Sequence, residues 1–349
     1  MPGSRAERNS PITVGTVTVE PGRRRSLELP IARLSTGTWL NLPVEVTNGR
    51  YLGPRIWVSG AVHGDELNGV EIVRQLVRTV QPRSLAGTLI AVPIVNVFGF
   101  VNESRYLPDR RDLNRSFPGS PRGSLAARLA HLFLRTVVAH CDVGIDLHTA
   151  AGERVNVPQV RGEFDDPETR RLAEAFGAPF LIEARLRDGS LRQAATQMGK
   201  RVLVYEAGQV RRFEEHCIEV GTSGVLRTME ALGMGNWGVP APKERPVRVR
   251  RTTWVRARRS GIALLDVELG EKVERAQVMG TISDALQSRP SRVTSPVTGW
   301  VIAVRLDPLV SQGDALVHVA LADDAVRVRV DRGPEPRSRA RRGPETDPH

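Results

Sequence analysis

His63 and Glu66 stand three residues apart in "GAVHGDELNG" (residues 60–69), directly after an apolar run and between glycines. An imidazole and a carboxylate on one short loop can share a divalent cation. Catalytic zinc sites take three protein ligands and keep a fourth position for water. The third ligand is therefore expected from elsewhere in the chain, and His148 closes the apolar run of "VGIDLHTA". A His-x-x-Glu pair alone is a weak signal in a chain with seven histidines. Its weight depends on what converges on it. Asp146 precedes His148 by two residues on the same strand face, where it either supports the imidazole or caps a backbone group. Glu206, near the end of "RVLVYEAG", is either an ordinary strand-end carboxylate or the base that takes a proton from a metal-activated water.

A second group lies in "SRYLPDRRDLNRSFPG", where Arg105, Arg110, Arg111, Asn114 and Arg115 crowd one proline-containing loop. Guanidinium forks bind carboxylates in bidentate fashion, so the Asn114-Arg115 pair reads as a clamp for an acidic substrate. Arg110 and Arg111 read as a solvated basic surface. Of the other histidines, His131 and His140 fall on an apolar helix, His216 on another helix, His318 in a C-terminal β region and His349 in the tail.

These residues need a scaffold that ends several strands at one place. "RIWVSG", "GTLIAVPIVN", "CDVGIDLHTA", "FLIEA" and "RVLVYEAG" are short apolar runs, read as buried strands. Between them, "LNGVEIVRQLVRTV" carries Val70, Val73, Leu76, Val77 and Val80 on one helical stripe. "SLAARLAHLFLRTVVAH" is a second helix with Ser124 as N-cap, "SLRQAATQMG" a third, and residues 213–232 a fourth. Alternating strands and helices predict a layered α/β domain with a largely parallel sheet, whose active sites form at the carboxyl ends of strands. Gly60 and Gly64 are expected to let the chain turn tightly where strand passes to loop.

Organisation follows from composition shifts. Residues 1–10 read as a disordered tail, residues 11–235 as the hydrolase domain opening with a small β-meander, and residues 236–247 as a linker. Residues 248–322 read as an all-β module, and residues 323–349 as a basic disordered tail. The module has two similar halves that resemble a lipoyl- or biotinyl-carrier barrel. The segment "SDALQSRPSRVTSPVTG" between the halves contains no lysine to modify, which argues against a swinging-arm carrier.

The net charge of +11 raises nucleic acid, membranes and anionic substrates as partners. The arginines are dispersed and aromatic residues make up only 5%, so no stacking stripe for nucleic acid is present. No apolar stretch reaches membrane-spanning length, and "MPGSRAERNS" lacks a signal core. Cys141 and Cys217 form no disulfide framework. A cytoplasmic protein able to form a homo-oligomer is expected, with neither membrane nor specific nucleic acid as partner.

The ordered segments "HGDELNG", "DLNRSFPG", "DLHTAAGERVNVPQVR" and "VYEAG" resemble the succinylglutamate desuccinylase/aspartoacylase family, over about residues 11–320. That resemblance implies a zinc-carboxypeptidase-like fold, with a mixed, largely parallel sheet flanked by helices and a C-terminal barrel-like module. It implies one zinc ion per chain on His63, Glu66 and His148, with Glu206 as the catalytic glutamate. Asn114 and Arg115 match the pair that binds the substrate carboxylate, and Arg105 the arginine that polarises the scissile carbonyl. Arg192, in "GSLRQAA", matches a second carboxylate contact. Two departures stand out. The spacing in "RYLPDRRDLNR" is wider than in the best-known aspartoacylases, and no tyrosine follows Tyr205 to cover the substrate from the C-terminal region.

The expected activity is hydrolysis of the amide bond in a small N-acyl amino acid bearing a carboxylate. Alternatives are a metallocarboxypeptidase acting on peptide C-termini or an amino-acid extension, and a non-catalytic zinc-binding regulator.

Overall fold

A computed structural model of the protein describes residues 7–242, 244–286 and 289–321. The chain opens with a hairpin of β1 (Ile12–Val14) and β2 (Val17–Val19), then the long antiparallel pair β3 (Arg23–Arg33) and β4 (Trp39–Asn48). Leu27, Leu29 and Ile31 of β3 are buried on one face, the period-two pattern of a half-covered sheet. The expected tail does not extend to residue 10. Arg8 bridges to Tyr51, and the buried Asn9 donates from Nδ2 to Asn48 Oδ1 at 2.9 Å and to the Gly87 carbonyl at 3.1 Å. Composition reads these residues as solvated, whereas an asparagine amide is held here by paired backbone and side-chain acceptors.

The α/β region follows as β5 (Tyr51–Gly60), α1 (Asn68–Thr79), β6 (Ala86–Val92), α2 (Val97–Val101), α3 (Leu125–Thr136) and β7 (Val143–His148). It continues as β8 (Arg154–Gly162), α4 (Pro167–Phe176), β9 (Phe180–Glu183), α5 (Leu191–Gln197), β10 (Arg201–Gly208) and α6 (Glu215–Ala231). Strands β10, β7, β5 and β6 are mutually parallel. The sheet is less parallel than expected, because β4 and β3 on one side and β8 on the other join in antiparallel sense. Its central strands are buried on both faces. Trp57, Ile90 and Val92 pack with Leu129 and Phe133 of α3, while Ile56, Val58, Leu89 and Ala91 pack with α1, α4 and α6. Strands covered on both faces lose polar alternation, which is why they read as continuous apolar runs. Ser124 caps α3 as its sequence predicts, its Oγ accepting from Ala127 N.

Strand β8 carries no comparable apolar run and is interrupted by Pro158. The proline is tolerated because β8 changes partners there: residues 154–156 pair with a C-terminal strand and residues 159–162 with β9. A residue without an N–H fits where one ladder ends and another begins.

The C-terminal region is all-β. Its strands are β11 (Val247–Val249), β12 (Thr252–Arg256), β13 (Gly261–Leu265), β14 (Lys272–Val273) and β15 (Val278–Ser283). They are followed by β16 (Ser291–Thr294), β17 (Gly299–Arg305), β18 (Leu309–Val310) and β19 (Ala315–Leu321). It does not stand apart as the expected barrel-like module. Strands β12, β19 and β17 extend the central sheet through the β17–β8 pair, and β11 pairs with β9; β16, β15, β13 and β18 form a separate four-stranded sheet. Strand periodicity alone does not say whose edge a strand will join. The basic tail expected at 323–349 lies outside the described residues. Among the described residues no helix is long and apolar enough to cross a membrane.

Candidate active site

The carboxyl ends of β5, β7 and β10 meet at one cavity of about 310 Å³. His63 lies in the loop after β5, Glu66 just before α1, and His148 is the last residue of β7. Glu206 of β10 is the register partner of His148 in the parallel ladder. Close backbone approach fixes the loop. A Cβ on Gly64 would stand 1.9 Å from the Gly99 carbonyl carbon and 2.1 Å from Phe100 N. The turn itself falls elsewhere than expected: Ala61, with φ 47°, takes the left-handed conformation, and neither Gly60 nor Gly64 does.

Glu66 spans the two imidazoles. Its Oε1 is 2.7 Å from His63 Nδ1 and its Oε2 is 2.7 Å from His148 Nδ1, while Thr149 N donates to Oε2 at 3.1 Å. All three side chains are buried, and one donor atom from each lies within 4.8 Å of the others. The second ring nitrogens are held from behind. Asp146 Oδ2 is 2.7 Å from His148 Nε2, its other oxygen accepting from Ser59 Oγ at 2.8 Å. Asp112 Oδ1 is 3.2 Å from His63 Nε2. Carboxylates behind ligand imidazoles fix ring orientation and raise basicity.

The electrostatics follow from this packing. Burial works to raise the Glu66 pKa, but His63 and His148 outweigh it and hold the carboxyl well below its ordinary range. Burial works to lower the His148 pKa, but Asp146 and Glu66 outweigh it and raise it well above the ordinary histidine value. Asp112 is likewise held low, its desolvation outweighed by His63 and Arg105. The pocket therefore favours positive charge between two imidazoles and a carboxylate. That donor set and spacing fit a zinc ion.

Arg105 links the loops, donating from Nη1 to Glu66 Oε1 at 3.3 Å and from Nη2 to Asp112 Oδ2 at 2.9 Å. Asn114 accepts from Leu191 N at 2.8 Å through Oδ1, so its NH₂ group is the end left to donate into the cavity. Arg115 is exposed at the rim. Arg192 is buried on α5, with Nη2 donating to the Arg185 carbonyl at 2.6 Å. Glu206 accepts from Asn156 Nδ2 at 2.9 Å, and Arg161 Nε lies 3.5 Å from its Oε1, an electrostatic contact without hydrogen-bond alignment.

His63, Glu66, Arg105, Asn114, Arg115, His148, Arg192 and Glu206 all line this one cavity. Arg110, Arg111 and His216 are exposed away from it, and Asp65 does not line it. Sequence reading missed Asp112, whose position in "RRDLNR" carries no local sign of a histidine partner. It also missed Asn156, Arg161 and Arg154, which sit on the unrecognised β8. His318, assigned only to the C-terminal region, lines the cavity together with Trp254.

A family model for the succinylglutamate desuccinylase/aspartoacylase catalytic domain matches residues 52–232. Among curated proteins, the N-alpha-acetyl-L-2,4-diaminobutyric acid deacetylase of Halomonas elongata is 28% identical over 84% of this chain and 90% of its own length. Among solved structures, a succinylglutamate desuccinylase/aspartoacylase from Rhodobacter sphaeroides has a TM-score of 0.76 at 27% identity, covering 86% of this chain and 97% of that one. The product-bound ectoine utilization protein of Ruegeria pomeroyi shares the fold, with a TM-score of 0.79 at 23% identity, covering 90% of this chain and 100% of that one. The chain belongs to the succinylglutamate desuccinylase/aspartoacylase family.

Proposed function

We propose that this protein is a zinc-dependent hydrolase that cleaves the amide bond of a small N-acyl amino acid. The observation that carries the reading is the buried His63–Glu66–His148 group, with donor atoms within 4.8 Å of one another and carboxylates behind both imidazoles. The relative's deacetylase activity supports the reaction class.

His63, Glu66 and His148 hold one zinc ion per chain. Bound there, zinc supplies a Lewis acid and lowers the pKa of a coordinated water to about 7. Glu206, beside His148 across the ladder, takes the proton from the attacking water and returns it to the departing amine. Asn156 holds the Glu206 carboxylate in place for both transfers. Arg105, anchored on Asp112, donates to the carbonyl oxygen as negative charge develops there. Asn114 and Arg115 receive the substrate carboxylate, and Arg192 offers a further donor to the same cavity. The free, buried Cys141 and Cys217 fit a reducing cytoplasm.

A cavity of about 310 Å³ closed on one side by Trp254 and His318 favours a small molecule over a peptide. Metal analysis and a Glu206→Gln variant test the reading. Stoichiometric zinc is expected, with a loss in kcat of about 10²- to 10⁴-fold and zinc retained. A zinc-free purified chain, or a fully active variant, removes it. A zinc-bound chain that turns over no amide is a regulator instead, and faster turnover of longer peptides makes it a carboxypeptidase.

A further inference from the structure

Gln159 of β8 is 0% exposed. Among the described residues, neither its Nε2 nor its Oε1 has a hydrogen-bond partner. A side-chain amide both donates and accepts. Burying it unpaired costs stability, so a strand that keeps it needs a reason for doing so.

The register says what stands beside it. Gln159 pairs with Phe180 of β9 on one side and with Glu206 of β10 on the other. Directly paired residues share a face, with Cβ atoms about 5 Å apart. Phe180 sits in an apolar cluster with Val157 and Ile302, and its side chain offers no hydrogen bond. Glu206 is the polar neighbour. Arg161, two residues further along β8, lies on the same face, while Val160 between them turns to the helix-covered core. The Arg161 Nε is also buried without a hydrogen bond, 3.5 Å from Glu206 Oε1 and not aligned with it.

Three side chains thus bring four polar atoms to one spot: Gln159 Nε2 and Oε1, Arg161 Nε and Glu206 Oε1. Two of these atoms donate and two accept. Arg161 excludes a cation there and Glu206 excludes an anion. A neutral ligand that donates twice and accepts twice is a water molecule. Buried waters serve groups left unpaired in this way, with about three hydrogen bonds each.

We propose that Gln159, Arg161 and Glu206 hold one ordered water, and that through it Gln159 acts as a positioning residue for the Glu206 carboxylate. Asn156 Nδ2 fixes Oε2 from the other side. The water occupies one lone pair of Oε1 and leaves the second for the proton that Glu206 takes up. Gln159 itself touches no substrate. The proposal rests on the hydrolase reading for what Glu206 does, and on the packing of β8 alone for where the water sits.

The test combines a crystal structure with kinetics, on the zinc-loaded full chain and on Gln159→Met, which keeps an unbranched side chain and removes the amide. The wild-type crystal is expected to show a water within hydrogen-bond distance of Gln159 and Glu206. In the variant that water is expected to be lost, and the Glu206 carboxylate to turn or take two conformers. On whichever N-acetyl amino acid the wild type hydrolyses fastest, kcat is expected to fall about 10-fold with KM little changed. In a Glu206→Gln background the same substitution is expected to cost nothing further, because it acts through that carboxylate. A merely structural role would lower kcat equally in both backgrounds, and that result overturns the proposal. A wild-type crystal without the water, or a folded variant with unchanged kcat, also overturns it. If Gln159→Met does not fold, Gln159→Leu carries the same measurements and the wild-type crystal decides the water site. A zinc-bound chain that hydrolyses no N-acyl amino acid defeats the hydrolase reading. The water, its loss from the variant and the displacement of Glu206 then decide this proposal by themselves.

Discussion

Asn156 reaches Glu206 because β8 carries one more residue than β10 between their paired positions. Glu206 pairs with Gln159 and Gly208 with Asn156, so two steps on β10 oppose three on β8. The bulge at residues 157–158 re-aims the strand beside the site, as bulges near active sites do. It brings Asn156 Nδ2 to 2.9 Å from Glu206 Oε2.

If Glu206 is the base, this amide holds it. Asn156→Ala is expected to lower kcat by about 10- to 100-fold, the range for a lost hydrogen bond to a charged group, with KM little changed. Asn156→Asp keeps the shape but sets an acceptor against a carboxylate, so it should be worse than alanine. Steady-state kinetics on both variants decide it, and an aspartate variant more active than the alanine one would sink the idea.

Asp146 should control metal affinity through His148. Its Oδ2 stands 2.7 Å from Nε2, the nitrogen facing away from Glu66, and Ser59 fixes the other oxygen. Asp146→Asn removes the charge with little change of shape. Zinc affinity measured by competition with a chelator is expected to fall about 10- to 100-fold. Chelation of the wild type should abolish activity, and added zinc should restore it. Unchanged affinity in the variant would reduce Asp146 to a strand contact.

The buried His63–Glu66–His148 group was legible because each member obeys a local rule: His63 and Glu66 follow an apolar run, and His148 closes one. Glu206 was legible for the same reason. Asp112 was not, since its link to His63 depends on a loop folding back across 49 residues. Asn156 and Arg161 were hidden because Pro158 breaks the strand pattern of β8, and only the change of partner strands makes that proline tolerable. Trp254 and His318 looked remote from the chemistry. They come to the cavity because β17 adds to β8, a long-range pairing that strand periodicity leaves open.

Gly64 should be intolerant of any side chain. The obstruction is backbone at 1.9 and 2.1 Å, from Gly99 and Phe100 of α2, so no rotamer change relieves it. Gly64→Ala is expected to cost about 1–3 kcal/mol by overpacking. It should also weaken zinc binding, since the segment that moves carries His63. Denaturant unfolding together with metal content checks this, and a variant equal to wild type in both would mean the loop can relax.

His318 makes a pH prediction whose sign can be worked through. Burial, then Arg161 and Arg154, depress its pKa from 6.5 to about 3 in the folded chain. The unfolded chain therefore takes up this proton first as the pH falls. The stability linked to His318 is fully present above about pH 6.5 and is lost progressively as the pH falls towards about 3. Replacing His318 by glutamine removes that proton uptake, whatever it does to packing against Trp254. The difference in unfolding free energy between wild type and variant should then shift against the wild type by about 1.4 kcal/mol per pH unit within the window. Urea titrations at neutral pH and near pH 5 measure that difference. A difference independent of pH would mean that His318 already titrates in the folded state, and that Arg154 and Arg161 do not act on it as their positions imply.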